Sequence, residues 1–282
     1  MQQFLSSLNR RPVLVNLDPA NENIPYHCDV NISDLTTVNR VMEEQALGPN
    51  GALLSCMEEL ERSTEWLVER LESFEDGYFI LDLPGQAELT SCHSSLVAIL
   101  EALKRRNFRL TVVYLADAAY CAEPMKYLSM LLLTLTSMMQ LASPQVNVLS
   151  KIDLVETFGP LPLRLDYYLN VQDLRYLSSA LDTNAPRKFH RLNEALCELV
   201  EESGLLCFVP LAVEDKECME YLLGEVDKAN GCVFGGLTKA NESITSTAVS
   251  QAHRENLIEL VTERYTSSSY DEEAPNVEYT KS

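Results

Sequence analysis

Residues 12–18, P-V-L-V-N-L-D, form a nearly continuous apolar run that ends on an aspartate. Such a run is typical of a strand that is buried on both faces of a parallel sheet. Four further strands are predicted, at 78–83, 110–116, 146–150 and 206–211. Helical patterns separate them, which favours βαβ units, so we expect an α/β fold with a doubly wound, mostly parallel sheet.

The helical patterns define the predicted domains. Residues 1–11 are predicted to be the last turns of a helix, and further helices are predicted at 35–46, 53–74, 89–105, 124–141 and 218–229. The block 163–202 is long for one crossover, so we interpret it as a helical insertion with helices at 165–181 and 188–200, split at Asn184-Ala185-Pro186. Residues 1–238 are then one domain. Residues 239–282 are predicted to be an acidic, disordered tail with one short helix near 251–265.

The charge of the chain excludes some classes of partner. Its 282 residues include 42 acidic and 22 basic ones, for a formal net charge of −20. This field repels nucleic-acid phosphates and anionic membranes, so we expect neither as a partner. The eight cysteines are scattered and several lie in apolar runs, and since no secretory signal is recognisable we expect a reducing compartment, here the cytoplasm. The lack of a C-x-x-C pair argues against a zinc site.

A short segment between two predicted helices reads Q-A-L-G-P-N-G-A-L-L over residues 45–54. Its local signals predict a helix that ends at Gly48, a stop at Pro49 and a turn at Asn50-Gly51.

The predicted strand 78–83 leads into D-L-P-G-Q-A-E, residues 82–88. This is the D-x-x-G arrangement of nucleoside triphosphatases, in which Asp82 would hold Mg²⁺ and the Gly85 amide would face a γ-phosphate. Gln86 or Glu88 would then orient or deprotonate a water. A simple strand-end turn is the alternative, because Asp, Pro and Gly are common in turns.

The predicted strand 146–150 ends in S-K-I-D, residues 150–153, which resembles the N/T-K-x-D motif that reads guanine. The Asp153 carboxylate would accept hydrogen bonds from the ring N–H and the exocyclic amine that guanine has and adenine lacks. The Lys151 stem would lie along the base. The strand that ends before Ala212 would supply backbone to the other side of the base.

Four stretches together resemble the GPN-loop GTPases over roughly residues 1–238. They are V-N-L-D-P-A-N (15–21), L-G-P-N-G-A-L (47–53), D-L-P-G-Q-A-E (82–88) and S-K-I-D-L (150–154). The resemblance implies a SIMIBI-like P-loop GTPase that hydrolyses GTP with Mg²⁺ as an obligate dimer, either a homodimer or a heterodimer with a paralogue. It also implies a role in the assembly or nuclear import of RNA polymerase II, with its subunits or assembly factors as partners and with shuttling to the nucleus.

The resemblance also assigns roles to residues. Asp18 and Asp82 correspond to the two aspartates near the metal. The residues implied in catalysis are Asp18, Asn50, Gln86 and Glu88. Gly48, Pro49 and Asn50 of one subunit would stabilise a phosphate intermediate in the other subunit. The residues implied in guanine binding are Ser150, Lys151, Ile152, Asp153 and Ala212.

One family motif is missing, since no Gly-Lys pair occurs and the phosphate-binding G-x-x-x-x-G-K-S/T loop is therefore absent. We expect an amino-terminally truncated form that lacks the first strand and this Walker A loop. Such a chain would bind GTP poorly, because it lacks the backbone cradle and lysine that hold the phosphates. It would also be marginally stable, because loss of the first strand leaves backbone groups of the neighbouring strands unpaired. Unpaired buried amides cost about 1–3 kcal/mol each.

Two alternatives stay open at this point. The chain is either a GTPase or a non-hydrolysing dimerisation module that supplies its GPN loop in trans to a paralogue. A third reading, an ATP-dependent relative, is disfavoured by Asp153, because a carboxylate at that position selects guanine.

Overall fold

The computed structural model describes residues 1–21, 23–74, 77–91, 93–159, 161–184, 186–231 and 242–266. The chain divides into two compact units, one of residues 1–110 and 136–143, the other of residues 111–135 and 144–282. Each unit contains a three-stranded parallel sheet. The predicted α/β class with parallel strands is therefore confirmed.

The first unit is built around strand β1. Its elements are α1 (Gln2–Ser7), β1 (Pro12–Asn16), β2 (Val30–Asn31), α2 (Val38–Gln45), α3 (Pro49–Arg62), α4 (Thr64–Glu72), β3 (Tyr78–Asp82), α5 (Ala87–Ser91) and α6 (Ser95–Arg105). The sheet order is β2-β1-β3. Pro12 pairs with Tyr78 and Asn16 with Asp82, so β1 and β3 end together.

The second unit repeats the alternation of strand and helix. Its elements are β4 (Val112–Asp117), α7 (Pro124–Leu141), β5 (Gln145–Ser150), a 3-10 segment (Ile152–Phe158), α8 (Leu165–Asn170), α9 (Arg175–Asn184), α10 (His190–Ser203), β6 (Val209–Leu211), α11 (Lys216–Asn230) and α12 (Glu242–Tyr265). Of α7, the part up to Leu135 belongs to this unit. The sheet order is β4-β5-β6, with β5 buried in the centre.

Helices α3 and α4 build the core of the first unit. Apolar residues three, four or seven apart face the sheet, namely Leu53, Met57, Leu60, Leu67 and Leu71, and each is at most 2% exposed. They pack with Val15 of β1, and the single tryptophan, Trp66, packs against the same cluster. Burial of each such side chain stabilises the fold by roughly 1.5–3 kcal/mol.

An aromatic pair anchors the core of the second unit. Tyr127 of α7 and Tyr168 of α8 stack edge to face, with ring centroids 4.9 Å apart. The fully buried Tyr127 hydroxyl donates to the Tyr168 carbonyl oxygen at 2.9 Å. Burial raises the pKa of Tyr127, so the ring stays neutral and its hydroxyl remains a donor.

Three predicted helices are each two helices in the structure. The prediction of one helix over 53–74 is wrong, because α3 ends at Arg62 and a separate helix, α4, begins at Thr64. At this break the Thr64 hydroxyl donates to the carbonyl oxygens of Leu60 and Glu61 in the last turn of α3. The predicted helix 89–105 is α5 and α6. The predicted helix 165–181 is α8 and α9, since the chain turns through left-handed backbone at Val171 and Asp173.

The other predicted helices and strands differ from those of the structure by a few residues at their ends, or lie partly outside the described residues. Strand β2 was not predicted, because two residues are too short for a pattern. In the stretch predicted to be an acidic tail the structure describes α12, which includes the expected helix near 251–265 and buries Leu257, Ile258 and Val261. The remainder of that stretch and the splitting residue Ala185 lie outside the described residues. Among the described helices, none has the length and apolar character needed to cross a bilayer.

The core of the first unit yields a stability prediction. Leu60→Ala removes a side chain that is fully buried between α3 and the sheet, so we expect the free energy of unfolding to fall by about 2–5 kcal/mol. Glu69→Ala, at an exposed position of α4, should change it by less than about 0.5 kcal/mol. Denaturant titration followed by Trp66 fluorescence measures both. Equal effects of the two variants would contradict this account of the core.

Candidate functional site

The first group of polar residues stands where β1 and β3 end. Asn16 is paired with Asp82, and the Leu17 amide donates to the Asp82 carbonyl oxygen at 2.8 Å. Asp18 follows one residue later. The two predicted aspartates therefore lie at the same edge of the β2-β1-β3 sheet, which is where open α/β sheets bind ligands.

Asn16 organises the backbone around Asp18. Its side chain is 1% exposed and accepts from the Asp18 amide at 3.2 Å, while its Nδ2 donates to the Asp18 carbonyl at 3.2 Å and to Asn31 Oδ1 at 3.0 Å. Asp18 Oδ1 in turn accepts from the Ala20 amide at 2.9 Å. Sequence reasoning missed Asn16, although an asparagine inside an apolar strand is a visible signal, since buried amides need partners.

Tyr26 is the second residue that the sequence did not reveal. Its hydroxyl donates to Asp82 Oδ2 at 2.5 Å. Burial, together with the hydrogen bond and charge of Asp82, raises the pKa of Tyr26. The phenol therefore stays protonated and remains a donor to one oxygen of the carboxylate.

Residues 83–86 connect β3 to α5. A Cβ added at Gly85 would have no atom within 4 Å, so the backbone there is open to a ligand. Gln86 is half-buried and its carbonyl accepts from the Leu89 amide at 3.2 Å, while Glu88 is exposed in the first turn of α5. Both side chains follow the strand that carries Asp82.

The GPN segment forms a corner between α2 and α3. Helix α2 ends at Ala46, which is left-handed, and Gly48 is the N-cap of α3 with Pro49 in its first turn. The predicted turn at Asn50-Gly51 is therefore wrong, because proline is favoured at the first position of a helix and here it opens one.

The corner is exposed on one side and supported on the other. Gly48, Pro49 and Asn50 are all exposed. The Gly48 carbonyl accepts from the Ala52 amide at 2.9 Å, and Ala52 belongs to a buried cluster with Val41 and Cys56. This packing presents Asn50 on a rigid base.

The second group of polar residues stands where β4 and β5 end. Asp117 pairs with Ser150, whose hydroxyl donates to the Ala116 carbonyl at 2.9 Å. Lys151 follows in a left-handed conformation with φ of 59°, and its ammonium donates to Asp117 Oδ2 at 2.6 Å. Ile152 is fully buried and Asp153 is exposed, so the buried Ile152 side chain fixes the backbone next to a solvent-exposed carboxylate.

Asp117 was also missed, since the predicted strand ended one residue before it. Burial acts to raise its pKa, but the hydrogen bond from Lys151 and the Ala119 amide hold the pKa of Asp117 below its usual value. The same contact raises the pKa of Lys151. Asp117 therefore fixes the charge and direction of the lysine.

Ala212 completes this group. Leu211, the last residue of β6, pairs with Ser150, so Ala212 leaves the sheet beside Lys151. Ala212 is 1% exposed, and its carbonyl accepts from the Asp215 amide at 3.1 Å. The structure thus brings Ser150, Lys151 and Ala212 to one edge of the second sheet, while Asp18 and Asp82 share an edge of the first.

A solved structure shows the class of fold. A GTPase of Pyrococcus abyssi, solved in its apo form, has a similar structure with a TM-score of 0.65, at 22% identity over 80% of this chain and 88% of that one. The chain therefore has the same α/β fold as that GTPase.

Sequence comparison then gives the family. The model of a family described as "Conserved hypothetical ATP binding protein" matches residues 1–232. The chain is 47% identical to GPN-loop GTPase 2 of Danio rerio over 88% of this chain and 81% of that protein. It is 42% identical to GPN-loop GTPase QQT1 of Arabidopsis thaliana (94% and 90%) and 40% identical to GPN-loop GTPase 2 of Saccharomyces cerevisiae (87% and 73%). The chain belongs to the GPN-loop GTPase family and resembles its GPN-loop GTPase 2 members.

The contact between Lys151 and Asp117 can be tested by lysine reactivity. Asp117→Asn removes the charge that raises the pKa of Lys151, so more of the amine is neutral at mildly alkaline pH and its acylation should be severalfold faster, since each pKa unit is about a tenfold change. Quantitative mass spectrometry of labelled peptides measures this. Lys216, paired with Glu220 on α11, is the internal control. An unchanged ratio of Lys151 to Lys216 labelling would contradict the assignment.

Proposed function

We propose that the chain is a GPN-loop GTPase of a kind that binds and hydrolyses GTP as a dimer, and that this 282-residue chain is impaired in GTP binding because it lacks the phosphate loop. The observation that carries this proposal is the placement of Ser150–Asp153 at the end of β5, beside Ala212 and with Asp153 exposed. A carboxylate in that position accepts from the N1–H and the exocyclic amine of guanine, and adenine offers no such pair of donors. The Lys151 stem, directed by Asp117, lies along the base.

Asp18 and Asp82 are the proposed metal residues. Mg²⁺ usually takes one or two carboxylates from a protein and completes its coordination with phosphate and water oxygens, so these two hard oxygen donors at one sheet edge suit it. Bound Mg²⁺ would neutralise charge on the phosphates. Within the chain, Asn16 holds the Asp18 backbone, and Tyr26 orients the Asp82 carboxylate by bonding one of its oxygens.

Gln86 and Glu88 are the proposed residues that position or deprotonate the attacking water. Both follow Asp82 within six residues, and Glu88 is exposed in the first turn of α5. The open backbone at Gly85 supports an approach of the terminal phosphate between them and the aspartates.

The dimer is proposed from the GPN corner. Gly48, Pro49 and Asn50 are exposed on a supported base, and an exposed asparagine amide offers a donor to a phosphate of a second subunit. Family resemblance extends the proposal to homodimers or heterodimers with paralogues, to assembly or nuclear import of RNA polymerase II, and to a cytoplasmic protein that shuttles to the nucleus.

The 282-residue chain lacks a Gly-Lys pair, which yields the first test. Without the backbone cradle and lysine of a G-x-x-x-x-G-K-S/T loop, the triphosphate loses its main anchor. Titration calorimetry should therefore find a GTP dissociation constant well above about 1 μM, which corresponds to a binding free energy of about −8 kcal/mol. Micromolar binding by this chain would contradict the expectation of an impaired phosphate site.

The second candidate function is a non-hydrolysing module that supplies its GPN loop to a paralogue. It is favoured by the GPN corner, which is fully built in a chain without the phosphate loop. Asn50→Ala should then lower the GTP turnover that this chain stimulates in a family member with a phosphate loop by about tenfold or more, as the loss of one transition-state donor does.

The matched control for Asn50→Ala is Glu43→Ala, at an exposed position of the preceding helix α2. If Asn50→Ala and Glu43→Ala give the same turnover as the unchanged chain, the trans-acting role fails.

A further inference from the structure

Asp215 connects the loop after Ala212 to helix α11. Its side chain is only 4% exposed, and its Oδ1 accepts from the Glu217 amide at 2.9 Å as the N-cap of α11. Its own amide donates to the Ala212 carbonyl at 3.1 Å. One buried carboxylate therefore determines where the loop at Ala212 sits.

Two residues at the end of α12 hold that carboxylate. Arg264 Nη1 donates to Asp215 Oδ2, and the Tyr265 hydroxyl donates to the same oxygen at 3.2 Å. Arg264 Nη2 also lies 3.4 Å from Glu217. Burial acts to raise the pKa of Asp215, but the Glu217 amide and the Arg264 charge keep that pKa below its usual value, so Asp215 is ionised and needs its cation.

The middle of α12 contacts the other side of the proposed base site. Leu257, Ile258 and Val261 are buried, and α12 packs on α8 and on the 3-10 segment Ile152–Phe158, which carries Asp153. One helix therefore contacts the segment that follows Lys151 and, through Asp215, the loop that follows β6.

A hydrogen-bond relay adds a third connection. Arg254 Nη2 donates to Asn170 Oδ1 at 3.1 Å and to the Leu169 carbonyl at 3.4 Å. The Leu169 carbonyl also accepts from the Phe208 amide at 2.8 Å, directly before β6. Helix α12 thus supports the strand that leads to Ala212 at its beginning and at its end.

We propose that Arg264 and Tyr265 are positioning residues of the guanine site, which they act on through Asp215 and the Ala212 loop. The inference rests on the proposed function, because it takes Asp153 and Ala212 as the base-binding residues. Helix α12 follows residue 232, where the match to the family model ends. The support for the base loops therefore comes from a segment outside the part of the chain that the family model describes.

Hydrogen–deuterium exchange of the whole chain tests the positioning. Arg264→Ala leaves the buried Asp215 carboxylate without its cation, so amides in peptides covering 152–158 and 209–217 should exchange about tenfold faster or more. Peptides of β1 and β3 should be unchanged. Glu263→Ala, an exposed neighbour on α12, is the matched control and should exchange like the unchanged chain.

A milder variant keeps the test decisive if Arg264→Ala unfolds the second unit. Tyr265→Phe removes only one hydrogen bond to Asp215 and should accelerate exchange in 209–217 by a smaller factor. Arg264→Lys keeps the charge and should restore most of the protection. The proposal would be overturned if Tyr265→Phe leaves exchange in 209–217 unchanged and a folded Arg264→Ala variant also leaves it unchanged.

Saturation-transfer NMR with GMP at millimolar concentration reports the base site, because it detects weak binding and needs no phosphate loop. The unchanged chain and Glu263→Ala should give a GMP signal that AMP does not give, and Arg264→Ala should lose most of it. A GMP signal that Arg264→Ala leaves intact would overturn the positioning role. If the unchanged chain gives no GMP signal, the proposed guanine site itself fails, and the exchange data alone decide whether Arg264 holds the loop.

Discussion

Parallel pairing of neighbouring strands is the constraint on which the candidate site depends. The registers Asn16 to Asp82 and Ser150 to Leu211 bring strand ends together, so residues distant in sequence leave their sheets side by side. Because helices cover the faces of such sheets, the strand ends are where polar groups reach solvent. The sheets therefore determine the positions of the motifs at the strand ends, and the loops only orient their side chains.

The orientation comes from a few polar residues that bond to backbone and to other side chains. Asn16 fixes the backbone at Asp18, Asp117 directs Lys151, and Asp215 holds the loop after Ala212. Each is buried or half-buried, where an unpaired polar atom is costly, so each contact is retained unless a better partner replaces it. Tyr26 stands in the same relation to Asp82. Precise placement of functional groups depends on such supporting contacts.

The GPN corner is built differently, since its base is apolar. Ala52 and Cys56 on one helix and Val41 on the other form a small buried cluster behind three exposed residues. In the proposed dimer, a loop that enters the other subunit loses little conformational entropy if it is already ordered. The same segment is therefore compatible with both proposed functions, the GTPase and the trans-acting module.

Strand positions and strand-end motifs were predictable, because a buried parallel strand leaves an apolar run that stops abruptly at a polar residue. Helix ends were less so. The apolar repeat of α3 continues into α4 and hides the break at Ser63, and Pro49 signals the start of a helix as readily as a stop.

The supporting contacts were not predictable at all. Tyr26 lies 56 residues from Asp82, Lys151 lies 34 residues from Asp117, and Arg264 lies 49 residues from Asp215. A periodic pattern describes neighbours within a few turns and carries no information about such distant partners. The role proposed for α12 was hidden for a second reason, because its sequence is rich in Ser, Thr and Glu and shows little amphipathic repeat.

The central claim is that Asp153 reads guanine, and base preference tests it most directly. Xanthine carries a carbonyl where guanine carries the exocyclic amine, so Asp153→Asn, which replaces an acceptor by a donor, should exchange the preference. Saturation-transfer NMR with GMP, XMP and AMP should show GMP preferred by the unchanged chain and XMP preferred by Asp153→Asn. An unchanged chain that does not distinguish GMP from AMP, or a variant that still prefers GMP, would contradict the account.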